Sequence, residues 1–206
     1  MTATNAKGMV VAIGGPPHSG KSVFLAELYR QLLARRPSGV FLQRACPDGE
    51  GMWSAESDPV LVKEIRRKGK FSAEFMAFTL KAVENLGKAF PLVLVDLGGK
   101  RTAENAEIFA RSTHVLVLSS DENEDEPWRN FAAAEGCKTL AVIRSRLFET
   151  EPGVLDTSKS TPDQSWSDSE VLRGELWQLD RNGPTELYRT AIGHIAEWLI
   201  AKAEGR

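Results

Sequence analysis

A chain of 206 residues, 42% hydrophobic and 26% charged, can bury one globular core and has little room for a second. Its formal net charge of −2 gives no general drive toward nucleic acid or an anionic membrane, so any polyanion site has to be a local pocket. The two cysteines, Cys46 and Cys137, have the spacing of neither a metal cluster nor a disulfide framework and read as reduced thiols.

The chain opens on a short polar stretch with no basic-then-apolar signal, and it holds no apolar run long enough to span a bilayer. A soluble, cytoplasmic protein with no membrane partner is expected. Met9-Val10-Val11-Ala12-Ile13 is wholly apolar, as a strand buried on both faces of a parallel sheet must be. A glycine-bearing loop follows at once. Then comes a helix over about 21–36, with Val23, Phe24, Leu28, Leu32 and Leu33 as its apolar stripe. Pro37-Ser38-Gly39 stops it.

Val40-Phe41-Leu42 begins a second strand that runs into the turn-rich Cys46-Pro47-Asp48-Gly49-Glu50-Gly51. Asp58-Pro59 has the form of a helix start, and that helix ends near Gly69. A longer helix from Ser72 carries Phe75, Met76, Leu80, Val83 and Leu86 on one side. Pro91-Leu92-Val93-Leu94-Val95-Asp96 is the next buried strand and ends in a carboxylate. A helix over 102–111, a fourth strand over 114–120 and an acidic turn over 121–126 follow. The next helix is read as opening at Pro127 and closing at Gly136, before a fifth strand over 139–144. Residues 149–169 are rich in Ser, Thr, Pro and Asp without periodicity and predict a long surface loop. Residues 171–179 alternate like a peripheral strand. A last helix buries Leu187, Ala191, Ile195, Trp198 and Leu199.

This order predicts an α/β fold: a three-layer α/β/α sandwich around a mostly parallel sheet, one domain over 1–206. Ligands in such sheets sit at the carboxyl ends of the strands.

The loop Gly15-Pro16-Pro17-His18-Ser19-Gly20-Lys21-Ser22 fits G-x-x-x-x-G-K-[ST], between a buried strand and an amphipathic helix. That pattern wraps backbone N–H donors around a triphosphate. Glycines at 15 and 20 let the chain turn inward, Lys21 reaches the β- and γ-phosphates, and the Ser22 hydroxyl ligates Mg²⁺. The helix N-terminus adds its dipole. Pro16 and Pro17 have no N–H, so the cradle depends on His18, Ser19, Gly20, Lys21 and Ser22, with Val23 next in the helix. His18 either contacts phosphate or packs away from it.

Asp96 ends its strand as a Walker B carboxylate does and is expected to hold Mg²⁺ directly or through water. Asp96-Leu97-Gly98-Gly99 also has the D-x-x-G form, which would bring the Gly99 N–H to a γ-phosphate and signal to Lys100 and Arg101. Asp48 and Glu50, after the second strand, are candidates for positioning an attacking water, with Asp48 preferred. Arg66, Arg67, Lys68 and Lys70 form the densest basic cluster, either a solvated helix end or a clamp for an anionic second substrate. Arg144 and Arg146 are read as standing at the end of the fifth strand, where either could stack on adenine. Trp53 and Trp128 are assigned to loops at the rim of the site, and Trp198 to the core.

Two resemblances come from these segments. Val93-Leu94-Val95-Asp96-Leu97-Gly98-Gly99, a helix, then Ser112-Thr113-His114-Val115-Leu116-Val117-Leu118 resembles the middle of the MinD/ParA-like group of P-loop proteins. That group carries a second lysine early in the loop, where this chain has Pro16, so dimer activation through that lysine is not implied. Ala12 to Ser22, Ala45 to Gly51 and Gly174-Glu175-Leu176-Trp177 look like the P-loop domain, often labelled AAA, found with a CRISPR-associated ring nuclease. The second resemblance implies type III antiviral defence and a partner that handles cyclic oligoadenylate. Neither an arginine finger nor the usual small helical lid is found.

Adenine is implied over guanine, because Arg144-Ser145-Arg146 stands where a guanine reader N-K-x-D would be. The expected function is a Mg²⁺-dependent, ATP-binding and ATP-hydrolysing switch. A small-molecule or nucleotide kinase and a non-hydrolysing nucleotide-binding module are the alternatives. Homo-oligomerisation is left open. An acidic segment where a kinase lid would carry arginines argues against the kinase.

Overall fold

A computed structural model describes residues 8–46, 71–146, 171–181 and 183–205. The helix expected after Asp58 and the polar loop over 149–169 fall outside the described residues.

Six strands form one sheet: β1 (Met9–Gly14), β2 (Val40–Arg44), β3 (Leu92–Asp96), β4 (His114–Ser119), β5 (Lys138–Arg146) and β6 (Leu172–Trp177), in the order β2-β3-β1-β4-β5-β6. Every pairing is parallel. The helices are α1 (Lys21–Arg35), α2 (Ala73–Ala89), α3 (Ala103–Phe109), α4 (Asp125–Ala134) and α5 (Glu186–Ala203).

Handedness places the layers. From β1 the chain moves outward to the β2 edge through α1, then reverses and steps across through α2, α3 and α4. Right-handed crossovers running in opposite directions put their helices on opposite faces. Side-chain alternation carries the same division. Val11, Ile13, Leu92, Leu94, Leu116 and Leu118 pack with Phe24, Leu28 and Leu32 of α1 and Leu187, Ile192 and Ile195 of α5. Val10, Ala12, Val93, Val95, Val115 and Val117 pack with Met76 and Val83 of α2, Ile108 and Phe109 of α3 and Trp128 of α4. The result is the three-layer α/β/α arrangement, with a sheet that is wholly parallel among the described residues.

Capping accounts for helix starts. The Ser72 hydroxyl accepts from the Phe75 N–H at 3.1 Å, and the Thr102 hydroxyl from that of Asn105 at 3.4 Å. Two expectations are corrected. A short 3₁₀ turn over Glu122–Glu124 leads straight into α4 at Asp125, so Pro127 is inside the first turn rather than opening the helix. Proline is tolerated there because first-turn N–H groups have no intrahelical acceptor. Trp128 is on α4 and is 1% exposed, which makes it a core residue instead of a rim residue.

Among the described residues no helix is long and apolar enough to cross a membrane.

Candidate functional site

The topology brings the ends of β1 and β3 together at the point where the chain changes direction, with Ile13 in register with Asp96. The loop after β1 then has to turn sharply into α1. Gly15 has φ 140° and Gly20, which caps α1, has φ 76°. A Cβ on Gly15 would collide with the Leu118 carbonyl oxygen, and one on Gly20 would lie 2.6 Å from Leu179 Cβ. Both positions therefore require glycine. His18 is also left-handed, at φ 62°, and its side chain is exposed.

The loop closes on itself. Ser19, fully buried, donates its hydroxyl to the Pro16 carbonyl at 2.9 Å. Lys21 Nζ donates to the carbonyls of Gly15 at 2.9 Å and Pro16 at 2.6 Å, so its ammonium is inside the loop's concavity. Because two prolines lead the loop, the N–H groups of residues 18–22 and the dipole of α1 are what it offers to an anion.

Asp96 follows the alternation of Leu92 and Leu94 and so faces the α1 side of the sheet, 8% exposed. It lines, with Lys21, Ser22 and Val23, a cavity of 330 Å³. Gly98 and Gly99 line the same cavity. A Cβ on Gly99 would lie 2.7 Å from the Pro17 nitrogen, so the D-x-x-G segment and the phosphate loop touch along their backbones. The hydroxyl of Ser22 and the carboxylate of Asp96 are hard oxygen donors of the kind that Mg²⁺ takes together with phosphate oxygens.

Some contributors carry no motif. Asn105, 1% exposed on α3, donates its Nδ2 to the carbonyls of Gly98 at 3.2 Å and Lys100 at 2.7 Å, which anchors the D-x-x-G turn. Cys46 lines the cavity at the end of β2, and Leu179, Asp180 and Arg181 close it beyond β6. The one sequence signal for these is position just past a strand's carboxyl end.

Arg144 is placed differently from its sequence reading. It and Arg146 belong to β5, which runs to Arg146 rather than ending at Arg144. Its Nη2 donates to Asp125 Oδ2 at 2.6 Å and its guanidinium also pairs with Glu122, and it does not line the cavity that Leu179–Arg181 help close. Asp48, Glu50, Trp53 and the basic cluster at Arg66, Arg67, Lys68 and Lys70 lie outside the described residues.

No protein-family model matches the chain, and no curated protein sequence matches it. Solved structures do. Cobyrinic acid a,c-diamide synthase from Mycobacterium smegmatis with bound ADP and magnesium superposes with a TM-score of 0.62 at 13% identity, covering 97% of each chain. The cell division ATPase MinD of Pyrococcus furiosus gives 0.61 at 14% identity, covering 95% of this chain and 99% of that one. A nucleotide-binding protein in complex with ADP from Archaeoglobus fulgidus gives 0.51 at 17% identity, over 93% and 88%. At these identities the likeness is one of α/β fold alone.

Proposed function

We propose that this chain binds ATP with Mg²⁺ and hydrolyses it, and that occupancy of the γ-phosphate position acts as a switch. The observation that carries the proposal is the single cavity that gathers the N-terminus of α1, Lys21, Ser22, Asp96 and Gly99. In this reading the N–H groups of residues 18–22 cradle the β- and γ-phosphates. Lys21 turns its ammonium from the loop carbonyls to those phosphates. Ser22 and Asp96 would hold Mg²⁺, which would supply charge neutralisation for the phosphates. Gly99 donates its N–H to the γ-phosphate, and Asp48 orients the attacking water. The ADP-bound and magnesium-bound states of proteins with this fold support the ligand choice.

The base would lie toward Leu179–Arg181, which line the same cavity beyond β6. Arg144 remains a candidate for that pocket only if it leaves Asp125. The setting implied by the resemblance, type III antiviral defence beside a cyclic oligoadenylate ring nuclease, comes from sequence segments alone. Pull-down with such a nuclease, with and without ATP, tests it.

Hydrolysis is tested by phosphate release from Mg²⁺-ATP with no second substrate present. Turnover that disappears in Asp96→Asn is expected. Tight ATP binding without release would move the reading to a binding module. Labelled phosphate appearing on a nucleotide or metabolite would move it to a kinase.

A further inference from the structure

The turn that carries Gly99 is tied down twice. Asn105 of α3 holds the carbonyls of Gly98 and Lys100. Two residues beyond Gly99, the guanidinium of Arg101 lies over the Trp128 ring of α4, 5.6 Å from its centroid, and pairs with Glu124 at the end of the 3₁₀ turn. Arg101, Glu124 and Trp128 line a hollow that shares only Pro17 and Gly99 with the nucleotide cavity. Gly99 therefore stands between the nucleotide position on one side and the Arg101–Glu124 pair on the other.

The next residue, Asp125, opens α4 and is incompletely paired. Its Oδ2 accepts from Arg144 Nη2 at 2.6 Å, but its buried Oδ1 accepts no hydrogen bond among the described residues. Arg129 follows one turn later on the same helix, and its buried Nε donates none. An acid four residues before a base is the favourable orientation for a pair along a helix. Arg144 also pairs with Glu122, so it would keep a carboxylate if Asp125 turned to Arg129. The start of α4 thus has two pairings open to it, as an element that responds to a neighbour must.

We infer that the Arg101–Glu124 pair makes the start of α4 a reader of the γ-phosphate. The inference rests on the proposed ATP site. A γ-phosphate that accepts from the Gly99 N–H draws the turn toward the nucleotide cavity and Arg101 off Glu124. The pair therefore opposes a triphosphate and is indifferent to a diphosphate. Once released, Glu124 no longer fixes the 3₁₀ turn, and Asp125 exchanges Arg144 for Arg129.

The test is calorimetric titration of the full chain at fixed Mg²⁺ with ADP and with the non-hydrolysable analogue adenylyl imidodiphosphate. The side chains of Arg101 and Glu124 are 34% and 31% exposed, so the effect of the pair is small. Glu124→Gln should bind the analogue about threefold more tightly and ADP no differently. Arg101→Gln should do the same, and the double variant should gain no more than either alone. Glu84→Gln, which removes the half-exposed pair with Arg111, should change neither affinity. Amide exchange over residues 121–130 should be faster in the wild type with the analogue than with ADP, and Glu124→Gln should abolish that difference. Equal gains for both nucleotides, additive gains in the double variant, or exchange that ignores the γ-phosphate would overturn the inference and leave the ATP site standing. No nucleotide binding by the wild type, or full binding by Lys21→Ala, would overturn both.

Discussion

Asn105 and Gly99 act on the same turn from opposite sides. The amide of Asn105 ties down the carbonyls of Gly98 and Lys100, and the missing side chain of Gly99 lets the turn rest on Pro17. Asn105→Ala removes two hydrogen bonds and takes the side-chain donor from the carbonyls of Gly98 and Lys100. It should lower stability by about 1–3 kcal/mol in urea titrations. As a positioning residue it should reduce kcat for phosphate release more than it raises KM, because the turn matters most when the γ-phosphate charge is moving. Gly99→Ala should act more harshly, since the Pro17 backbone cannot give way. Phosphate release at most about one-tenth of wild type is expected there. The sequence displayed Gly99, Lys21 and Asp96 because each belongs to a spaced pattern. Asn105 and Cys46 belong to none. Their roles arise when α3 and β2 are packed beside the loop, which no local signal reports.

Elements were legible where burial on both faces leaves an apolar run, as in β1, β3 and β4. They were less so where a strand extends past the core. Ser145 and Arg146 read as lying past the fifth strand, yet the ladder to β6 continues through both, with Arg146 in register with Trp177. Pairing, not hydrophobicity, holds that end. α1 is the element that joins fold to site, because its buried stripe fixes the direction in which its N-terminus points. Leu28 is fully buried in that stripe. Leu28→Ala should cost about 2–5 kcal/mol of stability.

A pH dependence belongs to the start of β4. Burial, with help from the Lys138 ammonium in register beside it, holds the His114 pKa below its ordinary 6.5. Thr113 Oγ1 is 2.8 Å from its Nδ1. The unfolded chain then binds the proton at a higher pH than the folded one, so stability rises with pH through this range. Urea midpoints should fall as pH drops below about 6.5. The fall should level off once the folded-state histidine is also protonated, and His114→Gln should remove this component of the slope.

For the whole molecule, the layer order and the parallel sheet were readable from the alternation of strands and helices, since crossover handedness leaves few alternatives. What sequence order could not give was which loops converge. The turn beyond β6 meets the phosphate loop because α5 packs beside α1, placing Leu179 against Gly20. If that cavity binds Mg²⁺-ATP, ligand at 100 times Kd adds about 2.7 kcal/mol to stability. For a domain of this size that is a rise in Tm of about 5–11 °C.

The most direct measurement is calorimetric titration of ATP at fixed Mg²⁺ into the wild-type chain and Lys21→Ala, with circular dichroism showing that both are folded. The account predicts saturable binding to the wild type and affinity at least about tenfold weaker in the variant. Equal affinity in the two chains, or no binding to the wild type, would contradict it.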